Sequence, residues 1–273
     1  MYKEVDMKTV VITGSARGFG YAMLELFYKN NFNVVLCDVN EVELDKAHKK
    51  LESIKPNGKI LSFKVDITKE SDIKNLITNT LKELDSIDIW INNAGVNQPS
   101  SPIWDLDSSV INRLIDIDLK GTILCSKLIF KVMKNQGFGA IYNVEGHGSN
   151  DALITGLSIY GTSKRAVTYF TEALAHESQE LNCNVIVGKI TPGIMITNFI
   201  NTSLGDGEKI ILDEKTKKIY NILGDYPETI AKFMVDKIIN NTKNNVKFTW
   251  LSNTRAFTKF LTYSFKKTNY FKD

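Results

Sequence analysis

The sequence predicts a single α/β domain built on a doubly wound parallel sheet. Short apolar runs rich in β-branched residues alternate with longer stretches whose apolar residues recur at helical spacing. Strands this apolar must be covered on both faces, as in a parallel sheet with helices on each side. No repeat, low-complexity block or Pro/Gly linker divides the chain, so we expect one domain over residues 1–273. Six runs have strand character: TVVIT, NVVLCD, ILSFKVDI, IDIWIN, AIYNV and NVIVGKI.

The stretches between these runs predict the crossover helices. YAMLELFYKN, DIKNLITNTLKEL and GLSIYGTSKRAVTYFTEALAHE carry apolar or small residues every three or four positions. This rhythm stops after ITPG, where residues 194–225 become rich in polar residues and glycine. Because loops of this length are usually functional, we predict a substrate lid, with apolar walls from Ile194, Met195, Phe199 and Ile200.

Composition and charge argue against several classes of protein. The 43% hydrophobic and 24% charged residues fit a globular domain, and a net charge of +3 is too small to indicate nucleic-acid binding. We expect no signal peptide in MYKEVDMKTVVITG, and no later run approaches the ~20 apolar residues of a spanning helix. Cys37, Cys125 and Cys183 lack metal-ligand spacing, so we expect buried thiols, no metal site and a cytoplasmic location.

A glycine-rich turn after the first strand predicts a dinucleotide site. Glycines let a diphosphate approach the backbone amides at a helix N-terminus, where the helix dipole favours negative charge. The second strand ends at Asp38, ~20 residues further on, where a carboxylate can bind an adenosine ribose. The turn TGSARGFG supplies the other predicted contacts: Gly14, Ser15, Arg17, Gly18, Phe19 and Gly20.

Asp38 and Arg17 favour different cofactors. A carboxylate that accepts hydrogen bonds from ribose hydroxyls would repel the 2′-phosphate of NADP, whereas Arg17 could pair with that phosphate. The flexible Arg17 side chain can turn away from the site, whereas a close repulsion between Asp38 and the 2′-phosphate is hard to avoid. We therefore expect NAD, with NADP as the alternative.

Four motifs, in order over about residues 8 to 200, resemble the short-chain dehydrogenase/reductases: TGSARGFG, Asn92-Asn93-Ala94-Gly95, YGTSK from Tyr160 to Lys164, and Pro192-Gly193. The resemblance implies a Rossmann-type domain that binds NAD or NADP. It implies hydride transfer to or from a carbonyl or alcohol carbon, often in a homodimer or homotetramer. It also implies further cofactor contacts, with Asp66 at the adenine, Thr197 at the nicotinamide amide, and Ile67, Asn92, Asn93, Ala94, Gly95, Tyr160, Lys164, Pro192 and Gly193 along the site.

A narrower resemblance covers the unusual segments. NVEGHGS, IYGTSKRAV, ITPGIMIT and YNILGDYPETIAKFMV are similar to stretches of the chlorophyll b reductase branch and its bacterial relatives. This implies a fairly large apolar carbonyl or alcohol as substrate, without making chlorophyll that substrate.

Tyr160 and Lys164 are the predicted acid–base pair. Lowering a tyrosine pKa from ~10 toward 7 requires about 4 kcal/mol of preferential phenolate stabilisation. An ammonium about 4 Å away supplies roughly that much at an effective dielectric of ~20. Residues four apart share one face of a helix, so Lys164 can act on Tyr160 as proton donor or base.

The second hydroxyl of this chemistry is less evident. Where the family carries a pair of serines after the fifth strand, this chain has Glu145-Gly146. Counting back from Tyr160 favours His147, whereas the branch resemblance and a neutral hydroxyl favour Ser149. We choose Ser149 to orient the carbonyl and His147 as a substrate contact, and Glu145 is the third candidate.

Asp118 is a second departure from the family pattern. The family usually has an asparagine there, thought to hold a water that relays protons to the lysine. A carboxylate adds negative charge near Lys164, which would keep the ammonium protonated and soften its effect on the tyrosine. A relay role and a purely structural role at a helix bend are both open.

Residues 243–273 form a basic, aromatic C-terminal tail with no acidic residue before Asp273. Phe257, Phe260, Leu261 and Phe265 recur at helical spacing between the basic residues. Such a segment could lie on an anionic membrane surface. It could equally pack on its own domain or on a neighbouring subunit, with the lysines in solvent.

The sequence therefore predicts an NAD(P)-dependent carbonyl reductase or alcohol dehydrogenase with a fairly large apolar substrate. The predicted catalytic residues are Tyr160, Lys164, Ser149 and Asp118, and the predicted substrate contacts are His147, Met195 and Phe199. One alternative is a catalytically impaired dinucleotide-binding regulatory or scaffold protein. Another is a reductase of a smaller sugar or acyl-thioester substrate.

Overall fold

A seven-stranded parallel sheet lies at the centre of the computed structural model, which describes residues 7–54, 56–197, 213–266 and 268–271. The strand order is β3-β2-β1-β4-β5-β6-β7, and every neighbouring pair is parallel. The prediction of a doubly wound parallel sheet is confirmed. The strands are β1 Thr9–Thr13, β2 Asn33–Asp38, β3 Ile60–Lys64, β4 Ile89–Asn92, β5 Gly139–Val144, β6 Val185–Thr191 and β7 Val246–Thr249.

Helices cover both faces of this sheet and enclose two apolar cores. The helices are α1 Gly18–Lys29, α2 Glu41–Glu52, α3 Glu70–Leu84, α4 Ser108–Leu114, α5 Thr122–Gln136, α6 Ser158–Glu180, α7 Glu214–Leu223, α8 Pro227–Ile239 and α9 Asn253–Lys266. A short 3₁₀ turn, Ile103–Asp105, precedes α4, and a π-helical segment, Ile115–Gly121, joins α4 to α5. Alternate residues of each strand point to opposite faces, so Val10 joins the core beneath α1 and α8, while Val11 joins the core beneath α3 and α5.

The winding of the chain reverses beside β1. β2 and β3 lie on one side of β1, and β4 to β7 lie on the other. The loops that follow β1 and β4 therefore separate at the carboxyl end of the sheet, where open α/β sheets bind their ligands. Most of the predicted site residues follow strands at this edge.

The segment predicted as a C-terminal tail contains both a strand and a helix. β7 pairs with β6 along the sheet edge, and α9 follows it. Within α9, Arg255 stacks on Trp250 at 3.5 Å and Lys259 pairs with Asp225 at 2.7 Å, so neither basic group points freely into solvent. The aromatic side chains of α9 are the exposed ones, chiefly Phe257, Phe260 and Phe265.

The lid is described only in part. Residues 194–197 follow β6, and a single parallel bridge joins Met195 to Asp225 beyond α7. Phe199 and Ile200 lie outside the described residues. In the described ranges of the chain, no helix combines the length and the apolar character needed to cross a membrane.

Candidate active site

The glycine loop packs directly against the residues that follow β4. Gly14 has φ +62°, and a Cβ there would lie 2.8 Å from the Ala94 Cα. A Cβ on Gly20 would lie 2.5 Å from the Asn93 side-chain nitrogen. That amide donates to the carbonyls of Thr13 and Gly14 at 3.0 Å each. Only glycine fits at positions 14 and 20, because the two loops are in contact there.

The N-terminus of α1 suits an anionic group. Arg17 occupies the N-cap position in an extended conformation, and within the described chain no side chain caps the helix. The first-turn N–H groups have no partners inside the helix and can receive a diphosphate. A Cβ built on Gly18 meets no atom of the described residues within 4 Å, which leaves room beside the loop.

Two residues of this turn, Ser15 and Phe19, make contacts within the protein. The Ser15 hydroxyl accepts the Cys37 N–H at 3.1 Å, and the Ser15 N–H donates to the Cys37 carbonyl at the same distance. Phe19 is buried in the core beneath α1. Both residues shape the loop, and a direct cofactor contact through either one stays a prediction.

Asp38 ends β2 beside the glycine loop. Its carboxylate accepts the Asn40 N–H at 3.0 Å and the Ala16 N–H at 3.4 Å. Arg17 is exposed nearby. The hydrogen bond and charge of Lys46 lower the pKa of Glu43, and the charge of Arg17 lowers it further, so Arg17 is close enough to act on Glu43. The charge of Arg17 therefore acts on a carboxylate other than Asp38.

The residues predicted at the adenine follow β3. Asp66 accepts both the N–H and the hydroxyl of Thr68. Ile67 is buried, and its side chain fills the space that a Cβ on Gly121 would need. The loop after β3 thus contacts the π-helical segment near the switch point.

The side chain of Asn92 is buried and bound by other side chains. Its side-chain amide donates to the Ser126 hydroxyl at 2.9 Å and to the Asn143 side-chain oxygen at 2.7 Å. Asn143 in turn donates to the Thr171 hydroxyl on α6. This buried polar chain joins β4, β5, α5 and α6, and the cofactor contact of Asn92 stays a prediction.

The loop after β6 closes the nicotinamide side of the predicted site. Gly193 has φ +74°, and a Cβ there would lie 2.7 Å from the Leu251 Cβ. Pro192 precedes it and Thr197 lies in the bend that follows. The placement of these residues agrees with a cofactor role, and their contacts with the cofactor stay predictions.

Tyr160, Lys164 and Asp118 form a buried group at the start of α6. The Lys164 Nζ lies 5.5 Å from the centre of the Tyr160 ring and 2.8 Å from the Asp118 Oδ2. The π-helical segment carries Asp118, whose Oδ1 accepts the Val96 N–H at 2.8 Å. Asp118 therefore has a structural contact with Val96 and a direct ion pair with Lys164.

This arrangement sets the protonation of the pair. Burial raises the pKa of Tyr160, Lys164 lowers it, and Asp118 and then Tyr220 on α7 raise it. Burial acts to lower the pKa of Lys164, but Asp118 and Tyr160 outweigh it and the pKa is raised. The ammonium is thus held charged, while Tyr160 keeps its proton in the absence of other charges.

The structure separates the candidates for the second donor. A Cβ on Gly146 would collide with the Tyr160 hydroxyl, so the loop backbone itself lies against that oxygen. Glu145 points away and is bound by other side chains. Ser149 is buried, and its carbonyl accepts the Arg165 guanidinium. The assignment of Ser149 as the donor stays a prediction.

His147 is half-buried in the same loop. Its Nε2 is enclosed and finds no hydrogen-bond partner in the described part of the chain. Desolvation lowers the pKa of His147, so the ring is neutral at neutral pH. A contact between His147 and the substrate stays a prediction.

Sequence reasoning missed Gln98 and Tyr220. Gln98 is fully buried, accepts the Tyr160 N–H at 2.8 Å and donates to the Gly156 carbonyl. It fixes the first turn of α6 to the loop after β4. A lone glutamine in a loop carries no sequence signal. Tyr220 begins the branch-like stretch YNILGDYPETIAKFMV, but it lies too far from Tyr160 in sequence for a contact to be predicted.

A family model described as short chain dehydrogenase matches residues 8–207. The chain belongs to the short-chain dehydrogenase family. The matched range contains the glycine loop, the Tyr160–Lys164 pair and the loop after β6. The predicted family is confirmed.

Curated relatives place this short-chain dehydrogenase near one branch of the family. It is 30% identical over 247 residues to the probable chlorophyll(ide) b reductase NYC1, chloroplastic, of Oryza sativa subsp. japonica, covering 85% of the chain and 47% of that protein. It is 28% identical over 259 residues to the chlorophyll(ide) b reductase NOL, chloroplastic, of Arabidopsis thaliana, covering 92% and 72%. The chain thus spans about half the length of the rice relative.

A solved structure of similar fold is that of levodione reductase. The TM-score is 0.78, the sequence identity is 21%, and the match covers 91% of this chain and 98% of that one. At this identity the similarity concerns the fold.

Proposed function

We propose that the chain is an NAD-dependent oxidoreductase that moves a hydride between nicotinamide and the carbonyl or secondary alcohol of a fairly large apolar substrate. The observation that carries the proposal is the buried Tyr160–Lys164 pair, with the Nζ 5.5 Å from the ring centre, at the same sheet edge as the glycine loop. A phenol and an ammonium in this relation can exchange a proton with a reacting oxygen.

The side chains provide the acid–base part of the reaction. A bound nicotinamide cofactor would supply or accept the hydride. In reduction, the Tyr160 phenol donates its proton to the oxyanion that forms on the carbonyl oxygen, and the Lys164 ammonium stabilises the resulting phenolate. Ser149 or neutral His147 orients the carbonyl oxygen in this proposal.

The choice of NAD over NADP rests on charge. Asp38 stands at the end of β2, where a 2′-phosphate would approach, and Glu43 lies within the electrostatic reach of Arg17. Like charges at close range disfavour the phosphate. Arg17 is exposed and remains the feature that would accommodate NADP.

An apolar rim beside the site supports a large apolar substrate. The loops after β4 and β5 are joined by a hydrogen bond from the Ser101 N–H to the Gly156 carbonyl. These loops expose Trp104 and Leu153 to 82% and 96%. Apolar side chains this exposed around a site favour an apolar ligand. A sugar would call for polar groups at this rim, which makes the smaller polar substrate the weaker alternative.

Partners and location stay proposals as well. The exposed face of α9 (Phe257, Phe260, Leu261 and Phe265) favours a contact with another subunit over an anionic membrane, because Arg255 and Lys259 are engaged within the domain. Mass measurement in solution, and sedimentation with anionic vesicles, would distinguish a homodimer or homotetramer from membrane binding. The buried thiols Cys37, Cys125 and Cys183 support a reducing compartment such as the cytoplasm.

The test combines cofactor titration with one conservative variant. Fluorescence titration with NADH and with NADPH should show tighter NADH binding, and apolar ketones or aldehydes should then oxidise the bound NADH. Tyr160→Phe should abolish this turnover and leave binding intact. Tyr169→Phe, which alters an exposed tyrosine on the same helix, is the matched control. NADH binding with no turnover across the panel would favour the catalytically impaired alternative.

A further inference from the structure

Glu145 is a buried carboxylate that no step of the proposed reaction uses. It follows β5 directly, its side chain has no exposed surface, and its N–H donates to the Ile190 carbonyl at 2.8 Å. Taking a carboxylate out of water costs several kcal/mol unless it is paired and hydrogen-bonded. A chain that keeps a charge here must also supply partners for it.

Three elements supply those partners. The Thr168 hydroxyl on α6 donates to Oε1 at 2.8 Å, and the Thr191 hydroxyl on β6 donates to Oε2 at 2.6 Å. The Lys247 Nζ on β7 lies 2.8 Å from the same Oε2. One carboxylate therefore joins the catalytic helix, the strand before the nicotinamide loop, and the edge strand.

The partners of Glu145 lie next to the acid–base pair and next to the predicted nicotinamide loop. Thr168 lies one helical turn after Lys164, and its hydroxyl is also 3.0 Å from the Lys164 carbonyl oxygen. Thr191 is the residue before Pro192, where the predicted nicotinamide loop begins. Gly146, next to Glu145, lies against the Tyr160 hydroxyl. The carboxylate thus sits where a small shift would move the acid–base pair relative to the cofactor.

We propose that Glu145, held by Lys247, is a positioning residue that fixes the distance between the Tyr160–Lys164 pair and the nicotinamide side of the site. This inference rests on the proposed function. It assigns the edge strand β7 a role in the active site, because Lys247 reaches across β6 to the carboxylate. The residue at position 145 then orients the loop and does not contact substrate.

The test removes both charges together. Glu145→Gln with Lys247→Met keeps the size of each side chain and leaves no unpaired buried charge, whereas Lys247→Met alone would leave one. Lys247→Arg restores the ion pair and is the rescue variant. The matched control is Glu172→Gln with Lys189→Met, because Glu172 pairs with Lys189 at 2.6 Å and this pair also links α6 to β6, but with its carboxylate half exposed.

The first readout is independent of turnover. Tyrosinate absorbance is titrated against pH in each variant, and the same titration with Tyr160→Phe added is subtracted, so the difference reports Tyr160 alone. The double variant removes the Glu145 carboxylate together with the Lys247 ammonium 2.8 Å away, so the net charge near Tyr160 does not change. A shift in the double variant therefore reports movement of the loop or helix, not a lost charge.

The second readout is the rate of NADH oxidation by a carbonyl that the unaltered chain reduces. We expect the double variant to keep its melting transition and NADH affinity, to shift the Tyr160 midpoint, and to lose about tenfold to hundredfold in rate, since small misplacements cost this much. Lys247→Arg should stay near the rate of the unaltered chain, and so should the control Glu172→Gln with Lys189→Met.

The outcomes separate the two proposals. A folded double variant with an unshifted Tyr160 midpoint and an unchanged rate overturns the positioning role. If the unaltered chain reduces no carbonyl, the proposed function fails, and the Tyr160 midpoint alone decides the inference. A shift of equal size in the control Glu172→Gln with Lys189→Met also overturns the positioning role, because the effect would then belong to any ion pair on α6.

Discussion

Replacement of Asp118 by asparagine tests how the buried ion pair controls Tyr160. The asparagine side-chain oxygen can still accept the Val96 N–H that Asp118 accepts at 2.8 Å. The variant therefore removes a charge from the active site while keeping the contact that supports the π-helical segment. Asp116→Asn removes an exposed charge from the same segment, where Asp116 pairs with Lys120 at 3.2 Å, and is the matched control.

The magnitude follows from two distances in the site. With the Lys164 Nζ 5.5 Å from the Tyr160 ring centre, the ammonium stabilises the phenolate by about 3 kcal/mol at an effective dielectric of ~20. Because Asp118 lies 2.8 Å beyond that Nζ, its carboxylate is at most about 8 Å from the ring and opposes the phenolate by at least about 2 kcal/mol. Asp118→Asn should therefore lower the pKa of Tyr160, because about 2 kcal/mol of opposition to the phenolate is removed.

The assay is the titration of tyrosinate absorbance, corrected with Tyr160→Phe in each background. A downward shift of the Tyr160 midpoint in Asp118→Asn, with no shift in Asp116→Asn, supports the electrostatic argument. The opposite sign would refute it: if Lys164 lost its proton without Asp118, the pKa of Tyr160 would rise, because the phenolate would lose about 3 kcal/mol of stabilisation and only about 2 kcal/mol of opposition. An unchanged midpoint would show that the carboxylate is screened from the phenol.

Two further substitutions have predicted outcomes. Asp38→Ser should raise NADPH affinity relative to NADH by about tenfold or more, because it removes a charge close to the 2′-phosphate. Fluorescence titration measures the ratio of NADPH affinity to NADH affinity. If this ratio in Asp38→Ser equals that of the exposed-site control Asp45→Asn, the assignment of Asp38 to the ribose is contradicted. Gly146→Ala should reduce turnover about a hundredfold, because its Cβ would displace the Tyr160 hydroxyl. Gly161→Ala, whose Cβ has 3.8 Å of clearance from the facing loop, should remain active, and equal activity of the two alanine variants would show that the loop moves aside.

Six strands and the order of the motifs could be read from sequence because their signals are local. Buried parallel strands such as β1 and β2 are continuously apolar, and the glycine turn lies between a readable strand and a readable helix. β7 was missed because VKFT is short, lies at the sheet edge and includes Lys247, which resembles a solvent-exposed tail residue. Its lysine is instead directed at a buried carboxylate.

The site was predictable to the extent that its contacts are close in sequence. Tyr160 and Lys164 are one helical turn apart, so their relation follows from helix geometry. The partners of Glu145 lie at positions 168, 191 and 247, and only the folded sheet brings them together. Counting residues back from Tyr160 pointed to His147, whereas Gly146 is the residue that touches the phenol.

The ion pair between Asp118 and Lys164 also affects whether the site favours carbonyl reduction or alcohol oxidation. Burial raises the pKa of Tyr160, Lys164 lowers it and Asp118 raises it, and the net result is a raised pKa. The phenol is therefore protonated at neutral pH and can donate its proton to an oxyanion. Alcohol oxidation needs the phenolate, whose fraction increases about tenfold per pH unit below the pKa. We therefore expect carbonyl reduction to vary little between about pH 6 and about pH 8, while alcohol oxidation rises about tenfold per unit over the same range. Initial rates in both directions measure this, and an oxidation rate that levels off within that range would show that bound cofactor or substrate overrides the charge of Asp118.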